Sequence, residues 1–105
     1  MAQFTVHRNK DPHGKAAFPF LVNVQSDLLD ELQTTVVIPL TKAGSLVKKP
    51  VAHLMPAVEF DGDVYVLVTP QLAGIARGDL GPAAGSLVER RDTIISAMDF
   101  FLSGF

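Results

Sequence analysis

The chain contains no cysteine, which removes disulfides, thiolate metal sites and thiol nucleophiles together. It also lacks tryptophan and has a single tyrosine. No basic excess is present: nine Lys and Arg stand against eleven Asp and Glu, a formal charge of -2, too few cations to neutralise a run of phosphates. Direct nucleic-acid binding is therefore disfavoured. Uninterrupted apolar runs such as Val64 to Val68 are too short to cross a bilayer, and the first ten residues carry no apolar stretch of the signal-peptide kind. A reducing cytoplasm fits this composition. With 105 residues, 48% hydrophobic and 19% charged, the expectation is one globular domain over residues 1–105.

What is present reads mostly as short strands. Phe4 to His7 alternates apolar and polar, and the Pro12–Gly14 neighbourhood interrupts it. Phe18 to Val24 resumes strand character, then a polar segment surrounds the Leu28–Leu29 pair. Thr34 to Ile38 is the strongest β segment and is expected to end at Pro39. Thr41 to Pro56 reads as a loop with one helical turn. Ala57 to Phe60 and Val64 to Thr69 flank Asp61-Gly62-Asp63, the clearest hairpin signal in the chain. Gln71 to Pro82, with three glycines, reads as a turn and a short edge strand.

The last segment is helical. Ser86-Leu87-Val88-Glu89 has capping-box spacing, Leu87, Ile94, Met98 and Phe101 fall on one stripe with Ile95 and Leu102 at its edge, and Gly104 supplies a stop. Strands followed by one terminal amphipathic helix predict an α+β fold, a curled antiparallel sheet with the helix packed on it.

The catalytic inventory is thin. His7, His13 and His53 lack metal-ligand spacing, and there is no nucleophile elbow, Walker loop or dinucleotide fingerprint. Ser26 beside Asp27 is better explained by turn hydrogen bonding than by nucleophile chemistry. Asp61 and Asp63 read as turn residues, not as a calcium site. Arg77, Arg90 and Arg91 with Asp79, Glu89 and Asp92 would suit RNA cleavage only if the fold gathered them. A solvated helix face is the simpler reading of Arg90 and Arg91. No catalytic residue, metal or cofactor is assigned.

The unusual feature is the C-terminus, where Phe100, Phe101 and Phe105 occupy three of the last six positions. Phe100 projects from the side of the helix that also carries Glu89, Thr93 and Ser96, away from the core stripe. Either a second subunit or the domain's own sheet covers it, or it belongs to a partner surface. Phe105, beyond Gly104, reads as an anchor for another molecule.

The stretch Leu21-Val22-Asn23-Val24-Gln25-Ser26-Asp27-Leu28-Leu29-Asp30, then Val37-Ile38-Pro39-Leu40, the start Gln3-Phe4 and the ending from Ala97 to Gly104 resemble the CcdB family of toxins from bacterial toxin–antitoxin systems. The resemblance runs nearly end to end. It implies an SH3-like antiparallel β-barrel with a C-terminal α-helix, shared with the MazF and Kid ribonucleases but without their activity. It also implies a homodimer that binds the DNA gyrase A subunit, traps the gyrase–DNA cleavage complex and serves plasmid maintenance. Neutralisation would come from a CcdA-like antitoxin through a C-terminal segment disordered until bound.

Carried across residue by residue, the resemblance assigns gyrase binding to Ser26, Leu28, Leu29, Asp99, Ser103, Gly104 and Phe105, and the dimer interface to Met98, Phe100 and Phe101. Where the family pattern has a Trp third from the end, stacking on a gyrase Arg, this chain has Ser103. That departure removes a cation–π contact worth about 0.5 to 2 kcal/mol. The alternatives are an endoribonuclease of the MazF or Kid type, and a non-toxic CcdB-like protein that binds only its antitoxin.

Overall fold

The computed structural model describes residues 2–45 and 51–104. Seven strands form one antiparallel sheet: β1 (Thr5–Asn9), β2 (Phe20–Asn23), β3 (Thr34–Lys42), β4 (Ala57–Phe60), β5 (Asp63–Leu67), β6 (Ala73–Ala76) and β7 (Leu80–Ser86). The helix α1 (Arg91–Ser103) follows. The strand order is β4-β5-β3-β2-β1-β7, with β6 beside β3. The sheet curls into a half-barrel over the helix, as the expected α+β architecture requires.

Register builds the core. Val6 pairs Val22, which pairs Ile38, and Phe20 pairs Leu40, which pairs Leu67, so two apolar rows run across the inner face. All six are buried, joined by Phe4, Val58, Phe60 and Tyr65 and by Leu87, Ile94 and Ala97 from the C-terminal segment. Phe20, Phe60 and Tyr65 meet edge to face, with centroids 5.2 Å and 5.5 Å apart for the two Phe20 pairs.

The hairpin between β4 and β5 forms as its sequence dictates. Asp61 (φ 52°) and Gly62 (φ 84°) both adopt the left-handed conformation that two-residue hairpin turns need.

Three expectations are corrected. β3 does not stop at Pro39 but continues to Lys42. Pro39 opposes Leu21 of β2, while its carbonyl accepts from Val68 N on the other side. Its missing N–H therefore faces the interval between the β6 partners (Val37 and earlier) and the β5 partners (Leu40 and later), where β3 changes neighbour.

β7 was hidden in Leu80-Gly-Pro-Ala-Ala-Gly-Ser, residues poor in β propensity. It forms because the small residues admit close neighbours. A Cβ at Gly81 would clash with the Arg8 carbonyl oxygen, and one at Gly85 would meet Phe60 Cε1 at 2.7 Å. Gly85 is in register with inward-facing Val6, so the Phe60 ring from β4 fills the place of its absent side chain. The two ends of the sheet thus approach each other through this ring, and Pro82 is tolerated because β7 is an edge.

The helix begins later than the capping-box spacing suggests. Leu87 N still donates to the Phe4 carbonyl, which continues the β1–β7 pairing one bond past Ser86 and holds Leu87 out of the helix. Ser86 Oγ accepts from Val88 N, not from Glu89, and opens the 3-10 turn Val88–Arg90 ahead of α1. At the other end Gly104 (φ 80°) donates to the Phe100 carbonyl and stops the helix as expected.

Candidate functional site

Two exposed apolar clusters stand out on the described surface. The first is the loop joining β2 to β3. At its base Thr35 Oγ1 donates to Asn23 Oδ1 at 2.6 Å, both residues buried, and Val24 N donates to the Val36 carbonyl. Above this base the 3-10 turn Asp27–Leu29 buries none of its residues. Ser26 Oγ accepts from Leu28 N, and Asp27 Oδ1 accepts from Gln3 N at 2.7 Å. The Ser26–Asp27 pair therefore does turn work, as its sequence suggests. Leu28 is 93% exposed, with Leu29 and Leu32 about half exposed beside it. Three exposed leucines on one loop make it a candidate contact surface.

The second cluster is the tip of α1. Ile94 and Ala97 are fully buried and Met98 and Ile95 are partly buried against the core. One turn further on, the stripe leaves the sheet behind: Phe101 is 42% and Leu102 70% exposed, although the helical period places both on or beside the core stripe. The stripe keeps its helical phase but not its packing, because the helix outruns the barrel. Phe100 is half-buried, its ring 5.9 Å from that of His53 in the 51–56 segment of the same chain. Asp99, Ser103 and Gly104 are exposed, and Ser103 Oγ donates back to the Asp99 carbonyl at 2.7 Å. Phe105 lies outside the described residues.

Within one chain the two clusters are held by separate contacts. The loop is tied to the N-terminus and to Arg77, whereas α1 packs on the turns Thr69–Gln71 and Val88–Arg90. A surface drawing on both would be assembled from distinct elements.

A groove of about 580 Å³ opens elsewhere, lined by Phe18, Leu21, Val37, Pro39 and Ile75, with Lys10, Asp11 and Asp79 among its polar members. It contains none of Arg77, Arg90 and Arg91. Arg77 is engaged with the β2–β3 loop, and Arg90 and Arg91 are exposed at the start of α1, so the basic and acidic residues considered for RNA cleavage are not gathered.

Of the histidines, His7 is buried with Nδ1 3.0 Å from the Gly81 carbonyl, which requires the ring to donate there, and its Nε2 has no partner among the described residues. His13 is exposed and His53 faces Phe100. No three His, Asp or Glu side chains converge as a metal set among the described residues. No helix there is long and apolar enough to cross a membrane.

A curled half-barrel closed by one terminal helix, with an apolar loop and helix tip turned outward, is the architecture that the CcdB resemblance implies. The chain belongs to the CcdB family: the family model described as "CcdB protein" matches residues 3–104. Among solved structures it is similar to an endoribonuclease in complex with its cognate antitoxin from a Mycobacterial species, with TM-score 0.75 and 15% identity over 97% of this chain and 94% of that one. At that identity the likeness shows a shared fold. The sequence alone does not single out Leu32, whose apolar side chain belongs to the exposed loop, and it places Arg77 with an RNA-cleaving set and not beside this loop.

Proposed function

We propose that this protein is a non-enzymatic toxin acting in the cytoplasm as a homodimer, which binds the DNA gyrase A subunit and traps gyrase on cleaved DNA. The contact residues are Ser26, Leu28 and Leu29 on the loop and Asp99, Ser103, Gly104 and Phe105 at the helix end, with Met98, Phe100 and Phe101 at the dimer interface. A CcdA-like antitoxin with a disordered C-terminal segment neutralises it. The observation that carries this reading is the outward apolar tip of α1, where Phe101 and Leu102 stay exposed beyond the core. Burying one such side chain against a partner yields about 1.5–3 kcal/mol.

The test is cleavage-complex trapping. Purified protein with gyrase, ATP and supercoiled plasmid yields linear DNA after denaturant and protease treatment, and removing residues 103–105 abolishes this while the chain stays folded. Equal linearisation by the shortened chain overturns the role of the tip.

A second reading, endoribonuclease activity, is favoured by the likeness to an endoribonuclease of the same fold. Cleavage of RNA by this protein with no gyrase present would decide for it. Harmless overproduction together with retained antitoxin binding would decide for the non-toxic alternative.

A further inference from the structure

The β2–β3 loop presents its leucines without any apolar root of its own. Leu28 is almost wholly exposed, Leu29 and Leu32 are half exposed, and no residue of the 3-10 turn is buried, so hydrophobic burial contributes little to fixing its shape. Its shape is fixed by polar bonds: turn bonds within the loop, Gln25 Nε2 on the Leu29 and Thr34 carbonyls, Gln3 N on Asp27, and a group of three from one residue of another element. Arg77, at the end of β6, donates from its backbone N to the Gln33 carbonyl at 2.9 Å, from Nε to the Leu32 carbonyl and from Nη2 to the Leu29 carbonyl at 3.1 Å. The same Nη2 lies 3.8 Å from Asp30 Oδ1. Three loop carbonyls therefore converge on a single residue, and two of them belong to the exposed leucines.

We propose that Arg77 is a positioning residue that fixes the conformation of the 27–33 loop and thereby sets the affinity of the leucine surface for its partner. The partner half of this inference rests on the gyrase reading above. The carbonyl end of a 3-10 turn carries partial negative charge, which a cation satisfies. A guanidinium suits this place because its rigid fork reaches two carbonyls three residues apart while staying charged, and a lysine ammonium is a point donor that cannot span them in the same way. Binding is tightened because the loop is ordered before the encounter and the ordering cost is not incurred on association.

The experiment compares wild type, Arg77→Ala and Arg77→Lys as full chains. Backbone ¹⁵N order parameters are measured in the free protein and affinity for purified gyrase A subunit is measured by titration. The expected result is that order parameters at Leu28 to Leu32 fall from the rigid range near about 0.85 to below about 0.6 in both variants. Ile38 and Leu40 stay rigid, and the dissociation constant rises about tenfold. Lysine does not rescue, which separates the fork from mere charge. Should Arg77→Ala fail to fold, Arg77→Lys carries the comparison. A loop as ordered in the folded variants as in wild type overturns the proposal whatever gyrase does. An ordered wild-type loop, loosened in the variants, on a protein that binds no gyrase sinks the gyrase reading and leaves the clip standing.

Discussion

At Gly85 a methyl group would land 2.7 Å from Phe60 Cε1 and 3.0 Å from Cζ, inside a core where Phe60 also contacts the Phe20 and Tyr65 rings. The ring has little room to retreat. Gly85→Ala is expected to destabilise by about 1–3 kcal/mol in urea unfolding, and adding Phe60→Leu is expected to recover part of that loss in a double-mutant cycle. Tyr65 gives a second prediction at this scale. Burial raises its phenol above the ordinary value of 10.0, the Asp63 and Asp61 carboxylates push the same way, and Arg8 pulls it down. The folded state therefore holds the proton more tightly than the unfolded one. That contribution is fully present below pH 10 and is lost as pH rises through the higher folded value. Thermal melts taken at rising alkaline pH should show a smaller loss of stability in Tyr65→Phe than in wild type. At position 103, Ser103→Trp is expected to strengthen gyrase trapping by the worth of one cation–π contact, about 0.5–2 kcal/mol. The concentration giving half-maximal linear DNA reads this, and no gain in Ser103→Trp counts against the helix tip as the gyrase contact.

The helix is two pieces energetically. Ile94 is fully buried, so Ile94→Ala is expected to cost about 2–5 kcal/mol. Leu102 is largely exposed, and Leu102→Ala should change stability by less than about 0.5 kcal/mol while weakening gyrase trapping. Chemical denaturation and the cleavage assay, run side by side on both variants, check this. A large stability loss in Leu102→Ala contradicts the division. Strands show the same contrast between what periodicity reveals and what it conceals. The hairpin from Ala57 was legible because Asp-Gly demands positive φ and its flanks alternate. β7 was not, because its strand character comes from what its neighbours need it to lack: side chains at Gly81 and Gly85. The late start of α1 was equally hidden, since a ladder bond from Leu87 to Phe4, distant in sequence, overrode a local capping signal.

For the molecule as a whole, the fold class was legible because the inner rows Val6–Val22–Ile38 and Phe20–Leu40–Leu67 are strand-period residues in the sequence. The candidate site was legible in part. Leu28 and Leu29 were found by resemblance and are exposed, but Arg77 owes its place to a contact 48 positions away that no spacing rule contains. Assembly makes its own prediction. If Met98, Phe100 and Phe101 meet a second copy, sedimentation equilibrium of the wild type should return a dimer and Phe101→Arg a monomer with an unchanged core melt. A wild-type monomer at micromolar concentration would remove the dimer from the proposal. The overhang of α1 past the sheet has an evolutionary corollary. Residues there answer to what they contact and not to the packing of the interior, so a change of contact need not disturb the fold. A lineage can then exchange one target for another, or abandon targets altogether, while its scaffold stays the same.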